Sequence, residues 1–264
     1  MTSSRRPRRF YSQDSLTGEN KTISLSPEES QHLRHILRLG IGDKCLVLDS
    51  SGAEGEAVVK GFKPDGCAEL QVSLVLPRAE FSESSVHLCV AIPKGVKFEF
   101  LIQKAQEIGA ASLTPLMTER TIVRIDPKKE SPKQARWLKI AQEAAKQSGS
   151  RRILEIPPAE TLPQAMKNLK MPRGILAVMH PSSESIPMRQ WMSLLEETEF
   201  SSAPVRVFIG PEGGFSKKEI ELMKLSAAEQ GWVYHQISLG GTILKVDTAV
   251  IAAASILKFW KEPR

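Results

Sequence analysis

The chain has 264 residues, long enough for one large domain or two modest ones, and its 41% hydrophobic content is that of a protein with a proper core. A formal charge of +6 fits a polyanionic partner without requiring one. No apolar run approaches the roughly 20 residues that span a bilayer, so no membrane partner is expected. Arg5, Arg6, Arg8 and Arg9 are followed by no apolar stretch, so a secretory signal is not expected, and Asp14 and Glu19 leave little support for a transit peptide. Cys45, Cys67 and Cys89 are odd in number, far apart and without C-x-x-C spacing. They point to reduced thiols in a cytoplasmic protein, each a small core filler, and away from a metal site.

In chain order, residues 9–76 read as short alternating segments between turns. A helix over 27–39 starts at the N-cap Ser26 with Pro27 in its first position. Strands follow at 44–49, 56–62 and 69–76, with turns at 50–52 and 63–66. One helix among several strands predicts a small β-barrel, and the polar stretch 77–85 reads as a linker. Beyond it the pattern alternates: strand 86–92, helix 97–108, strand 112–117, helix 133–147, a short strand 153–156 and strand 175–179. Helix 188–195, strand 205–209, helix 217–230, strand 233–237 and a last helix over 248–260 complete it. This alternation predicts an α/β domain with a mostly parallel sheet. The expected domains are 1–80 and 81–264.

The most informative residues lie in the last quarter. Residues 207–216 (Val-Phe-Ile-Gly-Pro-Glu-Gly-Gly-Phe-Ser) and 239–249 (Leu-Gly-Gly-Thr-Ile-Leu-Lys-Val-Asp-Thr-Ala) each lead from an apolar strand through a glycine turn into a helix. Two such turns facing each other bring main-chain N–H and C=O groups close to a ligand, which suits an adenosine-like molecule. No G-x-G-x-x-G follows a strand and no G-x-x-x-x-G-K-[ST] occurs, so dinucleotide and P-loop readings lack their residues. Ser216 and Glu219 form a capping box. His180 and Pro181 end the strand 175–179, where ligands of open α/β sheets sit, although a lone histidine is more often structural. Glu212 is either a plain turn carboxylate or a functional charge. The last helix is apolar nearly all round, which requires burial on more than one face, in a single-chain core or a homodimer. Asp247 or Thr248 before it is either functional or a plain N-cap.

Together these segments resemble the RsmE-type ribosomal RNA methyltransferases of the trefoil-knotted SPOUT superfamily. Ile209, Gly210, Pro211, Glu212, Gly213, Gly214 and Glu219 match I-G-P-E-G-G-x-x-x-x-E, and Leu239, Gly240, Ile243, Leu244, Thr248 and Ala249 match L-G-x-R-I-L-R-x-E-T-A. Upstream, Gln103, Lys104, Ala105, Glu107 and Gly109 fit Q-K-A-x-E-x-G, with Pro115 and Arg120 in place after it. Glu143, Ala144, Gln147, Ser148 and Gly149 fit E-A-x-x-Q-S-G, and His32, Leu37, Arg38, Gly42 and Asp43 fit H-x-x-x-x-L-R-x-x-x-G-D. The chain departs from the pattern at Thr242 and Lys245, where the family has arginines, at Asp247 for glutamate, and at Ser150 for arginine, with Arg151 and Arg152 following. Lysine keeps the charge but loses the bidentate fork, and threonine loses the charge.

The resemblance implies a PUA-like RNA-binding barrel before a knotted SPOUT domain, a homodimer built on the last helix, and S-adenosylmethionine as cofactor with no metal. The implied substrate is N3 of a uridine in 16S ribosomal RNA, free or in the small ribosomal subunit. His180, Pro181, Ile209, Gly210, Pro211, Glu212, Gly213, Gly214, Leu239, Gly240, Ile243, Leu244 and Thr248 are the expected cofactor residues. Uracil N3 is a poor nucleophile until its proton leaves, so the reaction needs a base, a donor for the anion and an in-line methyl. Lys245 is the expected anion partner, with Asp247 or Glu212 as the carboxylate. Arg9, Arg34, Arg38, Lys94, Arg120 and Arg151 are the expected RNA contacts, within wider basic clusters at 5–9, 128–139 and 151–152 that would track phosphates. Two rivals stand beside this reading: an RNA-binding factor of the same fold without activity, and a small-molecule enzyme using the same glycine turns.

Overall fold

A computed structural model describes residues 8–16, 21–49, 51–76, 86–95, 97–123, 127–169, 173–196 and 203–261. The expected linker 77–85, Ser50 of the first turn, and Arg5 and Arg6 lie outside the described residues. The chain divides into two compact units: residues 1–80 with 142–153, and residues 81–141 with 154–264.

The first unit is a curled five-stranded mixed sheet, the half-barrel form of the expected barrel. Its strands β1 (Arg9–Ser12), β2 (Thr22–Ser24), β3 (Lys44–Asp49), β4 (Glu54–Phe62) and β5 (Ala68–Leu76) take the order β1-β3-β4-β5-β2. β1 runs parallel to β3 and the remaining pairs are antiparallel. The short strands β1 and β2 are not expected from sequence; each has too few residues to show alternation. Phe10, Leu16, Ile23, Leu33, Val47 and Leu70 fill the core on the inner face.

The expected helix over 27–39 is only partly α-helical. Ser26 caps it, its side chain accepting from Glu29 N, and α1 (Pro27–Gln31) then gives way to one π turn over His32–Ile36. Leu37 N donates to His32 O at 3.0 Å, and Arg38, at a left-handed φ of 53°, ends the segment. A π turn leaves no periodic signature of its own in sequence, and such turns recur at functional places. The segment 142–153 joins this unit through Lys146, which pairs with Glu29.

The second unit carries a seven-stranded, wholly parallel sheet with the order β10-β12-β9-β11-β6-β7-β8. Its central strands β6 (Val86–Ala91), β7 (Ser112–Met117), β9 (Ile175–Met179), β11 (Val205–Ile209) and β12 (Val233–Ser238) coincide closely with the expected ones. All five residues of β9 are buried, as happens when helices cover both faces of a parallel sheet. Helices α2 (Lys97–Ile108), α5 (Met188–Glu196) and α6 (Lys217–Glu229) agree with expectation to within a residue. Helix α3 (Pro127–Ser148) starts earlier than the expected residue 133 and contains Pro132. The expected strand 153–156 reduces to a single bridge between Glu155 and Ser112. The two-residue strands β8 (Glu160–Thr161) and β10 (Ile186–Pro187) and the one-and-a-half-turn helix α4 (Leu162–Lys167) are additions to the expected pattern.

Helix α7 (Val246–Lys261) begins two residues before the expected start, which changes two assignments. Ala249 N donates to Lys245 O at 2.8 Å, and Asp247 Oδ1 accepts only from the adjacent Thr248 N at 3.0 Å. Asp247 and Thr248 are therefore first-turn residues and not N-caps. Val250, Ala253, Ala254 and Leu257 are buried in this unit's own core, where α7 packs on α2, β6 and β11. The opposite face is covered less: Ile251 and Ile256 are half-buried and Phe259 is 70% exposed.

All three cysteines are buried and free. Burial, with Asp43 adding to it, pushes the Cys45 thiol up to about 12, and burial takes Cys89 to about 11, so both are inert. Among the described residues no helix is long and apolar enough to cross a membrane.

Candidate functional site

Because every strand of the second sheet points the same way, the loops that follow β12, β9, β11, β6 and β7 emerge on one edge in that order. Ligands of open parallel sheets bind there. A cavity of about 390 Å3 opens between the ends of β9, β11 and β12 and the start of α7. It gathers His180, Pro181, Ile209, Gly210, Pro211, Glu212, Gly213, Gly214, Leu239, Gly240, Ile243, Leu244 and Lys245. The first twelve are all the expected cofactor residues except Thr248, which points outward from the first turn of α7 and is exposed. Sequence reasoning missed Met179, Ile237, Val246 and Ala249, apolar residues of the cavity wall. Their signal is their position, at the last turn of a strand or the first of a helix beside a glycine loop. Asp247 lies on a smaller adjoining cavity of about 110 Å3.

The glycines act through backbone geometry. Gly214 has a φ of +65°, and its N–H closes the turn on Pro211 O at 2.8 Å. A Cβ on Gly210 would lie 3.2 Å from the Phe215 ring and 3.3 Å from the Gly214 carbonyl carbon. Gly240 holds a φ of +144°, and its N–H and C=O both bond the Ser238 hydroxyl. The result is a mostly apolar cleft with main chain on two sides, the form of a site that buries a small cofactor and orients it with a few backbone groups. The residues present therefore fit an adenosine-derived cofactor.

The capping box does more than cap. Ser216 Oγ accepts from Glu219 N at 3.2 Å, and Glu219 Oε2 accepts from Ser216 N at 2.8 Å. The other carboxylate oxygen accepts from Glu119 N at 2.8 Å, tying the loop after β7 to the loop after β11. Buried Thr118 and Thr121 brace that loop through their hydroxyls, 2.7 Å apart. Arg120 at its tip then donates to Gly213 O. Arg120 was expected as an RNA contact; here it clasps the glycine turn while remaining exposed. Burial, and after it the Arg120 charge, lower the pKa of His180, so its imidazole is neutral at physiological pH.

Glu219 is itself only 5% exposed, so removing its carboxylate strands two N–H groups. Glu219→Ala is expected to cost about 2–4 kcal/mol. A thermal melt should show it as a fall of several degrees, and an unchanged Tm would deny the carboxylate this role.

The expected RNA contacts divide. Arg34 and Arg38 are exposed in the first unit, with the Arg34 guanidinium 5.0 Å above the Phe62 ring. Lys94 is exposed after β6, and Arg151 is half-buried. Arg9 is a correction: it pairs with Glu54 at 2.9 Å with both side chains largely buried, so its charge is met inside the first unit and is not displayed on an RNA-facing surface. Sequence alone shows the charge of Arg9 and not its partner 45 positions on.

A parallel sheet with a glycine-walled cleft at its strand ends, beside lysines and carboxylates, defines a nucleoside-cofactor enzyme of the α/β class. The chain belongs to the RNA methyltransferase family: residues 80–258 match the family's RNA methyltransferase domain, and residues 25–67 match its PUA domain. It is 28% identical to the ribosomal RNA small subunit methyltransferase E of Bacillus subtilis over 92% of each chain. It is 32% identical to the protein of that name from Synechocystis, over 89% of this chain and 72% of that one. Among solved structures, a methyltransferase from Legionella pneumophila in complex with the bound cofactor SAM superposes with a TM-score of 0.78, at 31% identity, over 96% of this chain and 98% of that one.

Proposed function

We propose that this RNA methyltransferase uses S-adenosylmethionine to methylate N3 of a uridine in small-subunit ribosomal RNA. The observation that carries the reading is the cleft itself, in which two glycine turns and His180 converge at adjacent parallel strand ends. The backbone of 210–214 and 239–244 would hold the cofactor, whose sulfonium supplies an electrophilic methyl group when bound. The protein's own work is then to position uracil, take its N3 proton and steady the resulting anion. Glu212 is our choice of proton acceptor because it lines both cavities, while Asp247 lines only the smaller. Lys245 lines both as well and offers its ammonium to the anion. Thr242, the uncharged replacement for a family arginine, lies on the cavity wall beside an intact backbone cradle, so no observation favours a factor without activity.

Residues 1–80 serve in this reading as the RNA-binding domain and 81–264 as the catalytic domain, with the trefoil threading of the SPOUT superfamily. The protein works in the cytoplasm as a homodimer, joined through the half-covered face of α7 around Ile251 and Ile256. Leu257 belongs to the core and not to that face.

Transfer of labelled methyl from S-adenosylmethionine to small-subunit RNA, naked and in assembled subunits, tests the function. The expected product is 3-methyluridine at one position; no transfer to either form defeats the reading. Replacing Arg34 and Arg38 together by alanine should weaken RNA binding and reduce the slope of log affinity against log salt by roughly 1–2. Affinity for S-adenosylmethionine should not change. Filter binding across a salt series and calorimetry read the two quantities, and an unaltered slope would remove these arginines from the RNA surface.

A further inference from the structure

The smaller cavity is lined by Pro93, Lys97, Glu212, Lys245, Val246 and Asp247, and it shares Glu212, Lys245 and Val246 with the wall of the larger one. The two cavities therefore adjoin at a carboxylate and an ammonium. Lys97 is the first residue of α2 and Val246 the first of α7, so two helix amino termini flank the space and add positive potential to its two lysines. The charged groups facing it are Lys97 from α2, Glu212 from the loop after β11, and Lys245 and Asp247 from the entry to α7. Such a set suits a small polar ligand that gives up one proton and gains negative charge.

Resting on the uridine-N3 reading, we propose that this cavity receives the uracil ring and that Lys97 is a second substrate-contacting cation. When the N3 proton passes to a carboxylate, the N–H electron pair stays on the ring and its charge spreads to O2 and O4. Those oxygens flank N3 on opposite sides, so one ammonium cannot serve both. Lys97 and Lys245 come from different elements and both line the cavity, so one can serve each oxygen. An opposite charge within about 4–6 Å lowers an acid's pKa by 1–3 units. The pair thus makes N3 ionise closer to neutrality than it does in water.

The first test needs no cofactor. Fluorine NMR of 5-fluorouridine 5′-monophosphate with saturating protein reads the pH at which the ring ionises. The parent should lower that pH relative to free nucleotide, and Lys97→Ala should give back about one unit. The second test follows methyl transfer to small-subunit RNA against pH. Lys97→Ala should fall roughly tenfold in kcat near pH 7 and regain the parental rate in alkali, where uracil ionises unaided. Lys97→Arg should keep most of the neutral activity, and affinity for S-adenosylmethionine should be parental in both variants. Lys97 is exposed, so both variants should fold. A parental ionisation pH, or a loss of rate equal at every pH, overturns the role of Lys97 while leaving the methyltransferase reading intact. Absence of methyl transfer by the parent itself defeats the underlying reading.

Discussion

Gly240→Val is expected to leave the fold intact and to weaken S-adenosylmethionine binding by about ten- to a hundredfold. Nothing lies within 4 Å of a Cβ built at this position, so the substitution meets no clash. The difficulty is the backbone, whose φ of +144° is one that L side chains rarely adopt. Holding a valine there costs on the order of 1–3 kcal/mol, and the loop can escape the strain by moving. Moving it breaks the two bonds between Gly240 and the Ser238 hydroxyl and displaces one wall of the cleft. Gly213→Val acts differently: its Cβ would lie 3.3 Å from Arg120 Cδ, so it should dislodge Arg120 from the turn with a smaller loss. Isothermal calorimetry beside circular-dichroism melts checks both. Parental affinity in a folded Gly240→Val protein would place the cofactor somewhere else.

Lys245→Ala should cut turnover by about a hundredfold, the loss typical of removing one donor from a developing anion. Binding of S-adenosylmethionine and RNA should change little, because the cofactor is held by backbone and the RNA by many charges. The family carries arginine at this position, so Lys245→Arg should retain activity, its fork reaching the same oxygen. Single-turnover methyl transfer at saturating substrates separates these outcomes. Unchanged turnover in Lys245→Ala would reduce the residue to a solvated charge at a helix start, and the anion would then need another partner.

Much of this site is legible in the amino-acid sequence. The strand, glycine turn and helix of 207–216 and 239–249 are written in local pattern, and twelve of thirteen expected cofactor residues line one cavity. Thr248 is the exception because α7 starts at Val246, which turns the threonine outward. Lys97 escapes notice because a lysine opening an amphipathic helix looks like any solvated charge. Arg9 misleads for the opposite reason: its place in a basic run hides the buried Glu54 opposite it.

Local rules are enough for the central strands, the long helices, the buried capping box and the glycine turns, since hydrophobic period and φ preference act over a few residues. They are also enough, with the motif resemblance, for the family. Tertiary structure alone decides which turns meet. The order β12-β9-β11-β6-β7 sets the loops at 180, 210 and 239 around one cleft and brings Lys97 beside Lys245, 148 positions away in the chain. It also lets Glu219 reach Glu119 across 100 positions and brings Arg120 onto Gly213. Such pairings depend on strand order and on which carboxylate a charge finds when buried, and neither leaves a periodic trace in the sequence.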